Sequence, residues 1–148
     1  MKFVEIEWKS SRYESEIDLR DRLLRAPLGL TFTAEDLDAE ASQLHFGMVQ
    51  DGELVACAVV VPLPEGVGKL RQMAVDPPYQ RRGVGSRLIR EIEGELGMRE
   101  FVKLELHARK EAVTFYQRLG YAIEGDEFLE VKIPHRKMTR MINERTDE

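Results

Sequence analysis

An α/β domain, with a mixed and mostly antiparallel central sheet of about six or seven strands and about four flanking helices, is the fold class this sequence predicts. Two observations carry that reading. Asp51-Gly52 separates two apolar runs, residues 46–49 and 54–61, as a tight hairpin turn does, and the second run is apolar on both faces, as in a strand inside a sheet. Further on, residues 69–75 and 101–108 are each strand-like and each lead into an amphipathic stretch of helical period.

The elements follow in order. Residues 3–8 alternate, with Val4, Ile6 and Trp8 on one face, as in a half-buried first strand. Ser11-Arg12-Tyr13-Glu14 has the form of a capping box, after which Tyr13, Ile17, Leu23 and Leu24 recur at helical spacing as far as Arg25, where Pro27 and Gly29 end the helix. Thr33-Ala34-Glu35-Asp36 is a second capping signal, for a short helix reaching about Glu40. After the hairpin, Pro62, Pro64, Gly66 and Gly68 mark a surface loop before the strand 69–75. From Val84, the residues Leu88, Ile89, Ile92 and Leu96 form one helical apolar stripe. In the strand 101–108, Val102, Leu104, Leu106 and Ala108 point one way and Lys103, Glu105 and His107 the other. Ala112, Phe115, Tyr116 and Leu119 then share a helix face that Gly120 closes. Residues 121–128 and 137–142 read as two last strands, and the tail from Asn143 is polar and expected to fray.

Composition sets the bounds. The 148 residues, 43% hydrophobic and 33% charged, suit a single domain over residues 1–148. A net charge of -5 argues against bulk nucleic-acid binding and leans toward cationic partners. The single cysteine, Cys57, excludes an intrachain disulfide and a cysteine-based zinc cluster; it reads as a small buried residue in a chain kept in a reducing, cytoplasmic compartment. Residues 1–10 lack the apolar core of a signal peptide, and no run approaches a membrane span.

Against that acidic background, Gln80-Arg81-Arg82-Gly83-Val84-Gly85 is a basic, glycine-rich loop between a strand and a helix. Free N–H groups and the positive end of the helix there suit a phosphate. A dinucleotide fingerprint would need a third glycine, and the position three after Gly85 is Leu88. His45, His107 and His135 have no close metal-ligand spacing, so no metal is expected.

The loop after Met-Ala-Val, together with Phe115-Tyr116 and Leu119-Gly120-Tyr121 downstream, resembles the GCN5-related N-acetyltransferase (GNAT) superfamily. LRQMAV, LHARKEAVTFY and GDEFLEVKIPHRKM are similar to a bacterial, ElaA-like subgroup. The resemblance implies acetyl-CoA as co-substrate. The main-chain groups of Arg82, Gly83, Val84, Gly85 and Ser86 would hold its diphosphate, with Gln80 and Arg81 beginning the cradle. It further implies a sheet splayed between the fourth and fifth strands, pantetheine paired to Met73 and Val75, and an oxyanion donor near Met73 or Ala74. Tyr116 takes the place of the residue that protonates the leaving thiolate. For the general base the residues leave Glu105, His107 and His135 open, with Glu130 in a substrate or structural role; Glu105 and His107 would otherwise pair with Lys103, Arg71 or Arg109. The expected activity is direct acetyl transfer to a primary amine, on a small molecule or a protein, with no nucleic-acid or membrane partner. A homodimer is among the assemblies implied. The alternative is a non-catalytic acyl-CoA sensor or assembly module on the same fold. Acetyl and longer acyl donors are not distinguished.

Overall fold

The computed structural model describes residues 1–142; the tail from Asn143, expected to fray, lies outside them. The chain divides into two compact units, Met1–Val61 with Arg71–Ile92, and Pro62–Leu70 with Glu93–Glu148. Among the described residues no helix is long and apolar enough to cross a membrane.

In the first unit, β1 (Lys2–Glu5), β2 (Leu44–Gln50) and β3 (Glu53–Leu63) pair antiparallel in that order. Asp51 and Gly52 have φ of 51° and 81°, the left-handed pair that a two-residue hairpin requires. β1 is shorter than its alternation suggests, because the chain turns after Ile6 and the Trp8 indole N–H donates instead to the Leu37 carbonyl at 3.1 Å. The first helix, α1 (Ser11–Arg20), is capped by Ser10, whose hydroxyl accepts from the Tyr13 N–H; the cap lies one residue before the expected box. α2 (Ala34–Ala39) carries the Thr33/Asp36 capping box as expected.

The buried face of α1 departs from its apolar stripe. Tyr13, Glu16, Leu19 and Arg20 are buried, whereas Ile17 is only half-buried. Arg20 is fully buried, and its Nη1 donates to Glu16 Oε2 at 2.6 Å and to Glu40 Oε1 at 2.8 Å, while Nη2 donates to Glu40 Oε2. The Tyr13 hydroxyl also donates to Glu40, at 2.7 Å. His45 completes the set, with Nδ1 2.9 Å from Glu16 Oε2 and Nε2 3.0 Å from the Glu40 carbonyl. A carbonyl and a carboxylate only accept, so both ring nitrogens carry protons. Two carboxylates then face one guanidinium and one imidazolium, and the buried charge balances. Burial opposes the charged ring, but the hydrogen bond and charge of Glu16 outweigh it and raise the His45 pKa.

In the second unit, β5 (Lys103–Arg109) lies between β4 (Val67–Val75) and β8 (Ile133–Met141), and β6 (Ala122–Ile123) and β7 (Phe128–Glu130) both pair with β8. The β4–β5 ladder is parallel and pairs Val67 with Lys103 through Leu70 with Leu106; β5 continues along β8 to Arg109. The two expected last strands are three, because residues 128–135 form a hairpin whose turn residues Val131 and Lys132 take φ of 49° and 62° without glycine or asparagine to announce them. The expected loop over residues 62–68 shrinks to a turn at Pro64–Gly66.

α3 (Val84–Met98) buries Leu88, Ile89, Ile92 and Leu96 completely, as its stripe predicts. α4 (Val113–Arg118) is followed by Gly120, whose φ of 93° favours glycine and where a Cβ would stand 3.0 Å from Arg140 Nε, so that a side chain would have to displace Arg140. A single 3₁₀ turn, Lys110–Ala112, replaces the expected start of α4 at Glu111.

Arg20→Met would leave Glu16 and Glu40 buried without their guanidinium, and urea denaturation is expected to show a loss of about 3–5 kcal/mol. The His45 contribution should be fully present below the ordinary histidine pKa of about 6.5 and disappear as pH rises through the higher folded value. Urea stability measured from pH 6 to 9 should therefore fall, by at most about 1.4 kcal/mol per pH unit from this group, and His45→Gln should flatten the slope.

Candidate active site

The loop between β4 and α3 is shaped by two left-handed residues, Arg81 with φ 61° and Gly83 with φ 77°. Ahead of it, Pro77–Tyr79 makes a 3₁₀ turn, and the Gln80 side-chain amide donates to the Val75 carbonyl at 2.8 Å, tying the loop to the end of its strand. The hydrogen-bond ladder of α3 begins with the Arg87 N–H on the Gly83 carbonyl at 3.0 Å. The N–H groups of Val84, Gly85 and Ser86 thus come before the ladder, where α-helical geometry supplies no acceptor. No heavy atom lies within 4 Å of where a Gly83 Cβ would stand, so the loop is open on that side. With Arg81 and Arg82 beside it, this is a main-chain cradle suited to an anion such as a diphosphate.

Immediately before the loop, β4 carries Gln72 at φ 53°, a left-handed residue inside a strand. Met73 and Val75 are half-buried and Ala74 is buried. Ala74 packs with Leu19 and Cys57 in a buried apolar cluster. Cys57 itself is fully buried, and desolvation raises its thiol pKa well above the usual range, which fits the expected inert packing role.

In the second unit Tyr116 is buried on α4, edge-on to Phe115 at 5.0 Å and to Tyr121 at 5.9 Å between ring centroids. Desolvation pushes its phenol up to about 12, so the hydroxyl keeps its proton throughout the neutral range. Tyr121 is anchored differently: its hydroxyl donates to Glu93 Oε2 at 2.7 Å, and Arg140 holds the other oxygen at 2.8 Å.

The histidine candidates meet at Glu130. His107 Nδ1 lies 2.9 Å from Glu130 Oε1, and His135 Nε2 lies 3.6 Å from Glu130 Oε2. Phe128 stands edge-on to His107 at 4.9 Å and stacks on His135 at 6.1 Å. Burial acts against the Glu130 charge, but the His107 hydrogen bond and the nearby cations outweigh it and hold the carboxyl below its usual range. An ionised Glu130 accepts from His107 Nδ1, which leaves Nε2 as the lone-pair nitrogen of the neutral ring. His135 Nδ1 donates to the Ile133 carbonyl at 2.7 Å, and its ring is buried. Glu105 is not part of this cluster: its partner is Lys137 at 3.8 Å, rather than Lys103, Arg71 or Arg109.

Sequence reasoning reached the loop, Tyr116 and the Glu130 cluster, but it missed Arg20, Glu16, Glu40 and Gln72. A Glu16/Arg20 pair at i, i+4 reads as a solvated helix face, and hydropathy carries no signal that it turns inward. Glu16, Glu40 and His45 offer ligand atoms within 4.8 Å of one another, yet the Arg20 guanidinium already lies between the two carboxylates and supplies the positive charge.

Known proteins resemble this chain in sequence and in fold. The Acetyltransferase (GNAT) family matches residues 2–121. The uncharacterized N-acetyltransferase YjcF of Bacillus subtilis is 30% identical over 110 residues, covering 72% of this chain and 76% of that protein. The ribosomal protein bS18-alanine N-acetyltransferase of Escherichia coli is 37% identical over 82 residues, 53% of this chain and 54% of that one. The YyaT protein of B. subtilis is 35% identical over 75 residues, and the chain spans about half its length, 51%. Among solved structures, E. coli ElaA superposes with a TM-score of 0.81 at 19% identity, covering 95% of this chain and 99% of that one. An aminoglycoside 6'-N-acetyltransferase complexed with coenzyme A superposes with a TM-score of 0.83 at 18% identity, covering 99% and 100%. These structures share the mixed α/β fold, and the match over residues 2–121 assigns the chain to the GNAT acetyltransferase family.

Proposed function

We propose that this acetyltransferase moves an acetyl group from acetyl-CoA directly to a primary amine, with both substrates bound together and no covalent enzyme intermediate. The observation that carries the proposal is the family match across residues 2–121, which includes the main-chain anion cradle at Gln80, Arg81, Arg82, Gly83, Val84, Gly85 and Ser86. In this reading one catalytic domain spans the chain, the cradle holds the diphosphate, and main-chain groups of Met73 and Val75 align the pantetheine. A cytoplasmic location belongs to the same reading, supported by the single buried thiol.

The chemistry asks the protein for two proton movements. An alkylammonium with a pKa near 10 must give up a proton before its nitrogen can attack the thioester carbonyl. His107 is the base, because Glu130 fixes its tautomer with Nε2 able to accept; Glu105, engaged with Lys137, and His135, buried and tied to Ile133, support that site. When the tetrahedral intermediate collapses, the carbon–sulfur bond breaks and Tyr116 gives its proton to the departing thiolate. Its hydroxyl carries that proton throughout the neutral range. The net charge of -5 favours a cationic acceptor. Relatives named for bS18 alanine and for aminoglycosides make an alanyl peptide and an aminoglycoside the first amines to try.

Thiol release from acetyl-CoA with a panel of polyamines, aminoglycosides and alanyl peptides is expected to show turnover; tight coenzyme A binding with no amine consumed across the panel would favour the sensor module instead. In the same assay Tyr116→Phe should lower kcat about tenfold or more while acetyl-CoA binding stays within about twofold, and an unchanged kcat would remove Tyr116 from the mechanism. His107→Gln should lower kcat/KM about 100-fold at pH 7 and progressively less toward pH 10, where the amine loses its proton unaided. A loss constant across that range would assign His107 a structural role.

A further inference from the structure

Gln72 is out of place by the ordinary rules of a strand. A left-handed conformation costs a residue with a side chain about 1–3 kcal/mol and persists only where the surroundings over-determine it. Gln72 has φ 53°, inside β4 and not at a turn. Its side-chain carbonyl accepts a hydrogen bond of 3.0 Å from Arg20 Nε. That nitrogen belongs to a guanidinium that cannot turn away. Nη1 is held by Glu16 and Glu40, Nη2 by Glu40, and the group sits over the Phe32 ring with 4.8 Å from its central carbon to the ring centroid. The two carboxylates are themselves fixed by Tyr13 and His45.

Energetics say what such a cluster supplies. A buried ion network contributes little net stability compared with apolar side chains of the same volume, because desolvation offsets most of the attraction. Its distinctive property is direction, since each donor must meet one acceptor. Here the direction ends at Gln72, the residue before Met73 and Ala74. A left-handed φ at one strand residue re-aims the peptide that follows it. The peptide that follows Gln72 carries the Met73 N–H, so this N–H is the donor that the left-handed residue re-aims.

We infer that Arg20 is a positioning residue for acyl transfer: through its hydrogen bond to the Gln72 side chain it pins Gln72 in the left-handed conformation and so aims the Met73 N–H at the developing oxyanion. The inference rests on the acetyltransferase reading above for its catalytic half, whereas the pinned backbone is a property of the chain alone. A preorganised donor of this kind acts only if it is aimed before the reaction, and a small misplacement costs rate rather than binding.

The test is made at Gln72, which leaves the ion network itself in place. Gln72→Leu keeps the bulk and removes the acceptor; Gln72→Gly removes the pin but suits a positive φ; Gln72→Glu keeps an acceptor for Arg20. With the best amine of the panel, Gln72→Leu and Gln72→Gly are expected to lose about 10- to 100-fold in kcat with KM for acetyl-CoA within about twofold, and Gln72→Glu to recover most of the loss. Stability separates this from a structural role, because Gln72→Gly should unfold in urea no earlier than wild type while still losing kcat. Amide hydrogen exchange at Met73 is followed in all four proteins and should quicken in the leucine and glycine variants only. Full kcat in Gln72→Leu overturns the aiming role. Unchanged Met73 exchange overturns the pin. If wild type turns over no amine, the acetyltransferase reading fails by itself, and the exchange rates still decide whether Arg20 pins the strand.

Discussion

A guanidinium buried in the first unit sets more of this structure than its single charge suggests. Arg20 ties α1 to Glu40 beyond α2, and it is balanced inside the protein rather than by solvent. Any arrangement of these elements that left one of Glu16, Glu40, Arg20 or His45 without its counterpart would strand a charge in a low-dielectric interior. The network therefore specifies how α1 lies on its sheet more sharply than apolar packing alone, in which a helix can shift by a residue and still bury oil against oil. Glu16 Oε1 has no hydrogen-bond partner and is buried, so satisfaction within the cluster is unequal. The hydrogen bonds gather on the oxygen that faces Arg20 and His45.

The second unit solves its own orientation problem by smaller means. Glu93 receives both the Tyr121 hydroxyl and Arg140, and Gly120 allows the close passage of Arg140 that this requires. Tyr116, next to them on α4, is surrounded by aromatic edges and keeps its proton by desolvation. One tyrosine is thus anchored through its hydroxyl and the other through its ring.

Legibility in the sequence followed the strength of local signals. The Asp51-Gly52 hairpin, the Thr33 cap and the α3 stripe were readable because each is stated by neighbouring residues with a strong conformational preference. The basic glycine loop and the Phe115-Tyr116 pair were readable for the same reason, and they carried the family with them. The Val131-Lys132 turn was not, since both residues adopt a conformation their chemistry disfavours and only the completed β8 pairing holds them there. The Arg20 cluster was unreadable for a different cause: its members lie on α1, at the end of α2 and on β2, so their common burial exists only after the chain has folded.

That left-handed turn also bears on how firmly Glu130 is held. Glu130 sets the tautomer of His107 from β7, a three-residue strand whose neighbours Leu129 and Val131 are 71% and 58% exposed. Few buried contacts hold a segment like this, and it belongs to the part of a fold that opens and exchanges most readily. The basic glycine loop is built into a strand end and a 15-residue helix, by contrast. Opening of the β7–β8 hairpin would release Glu130 and free the His107 ring to change tautomer.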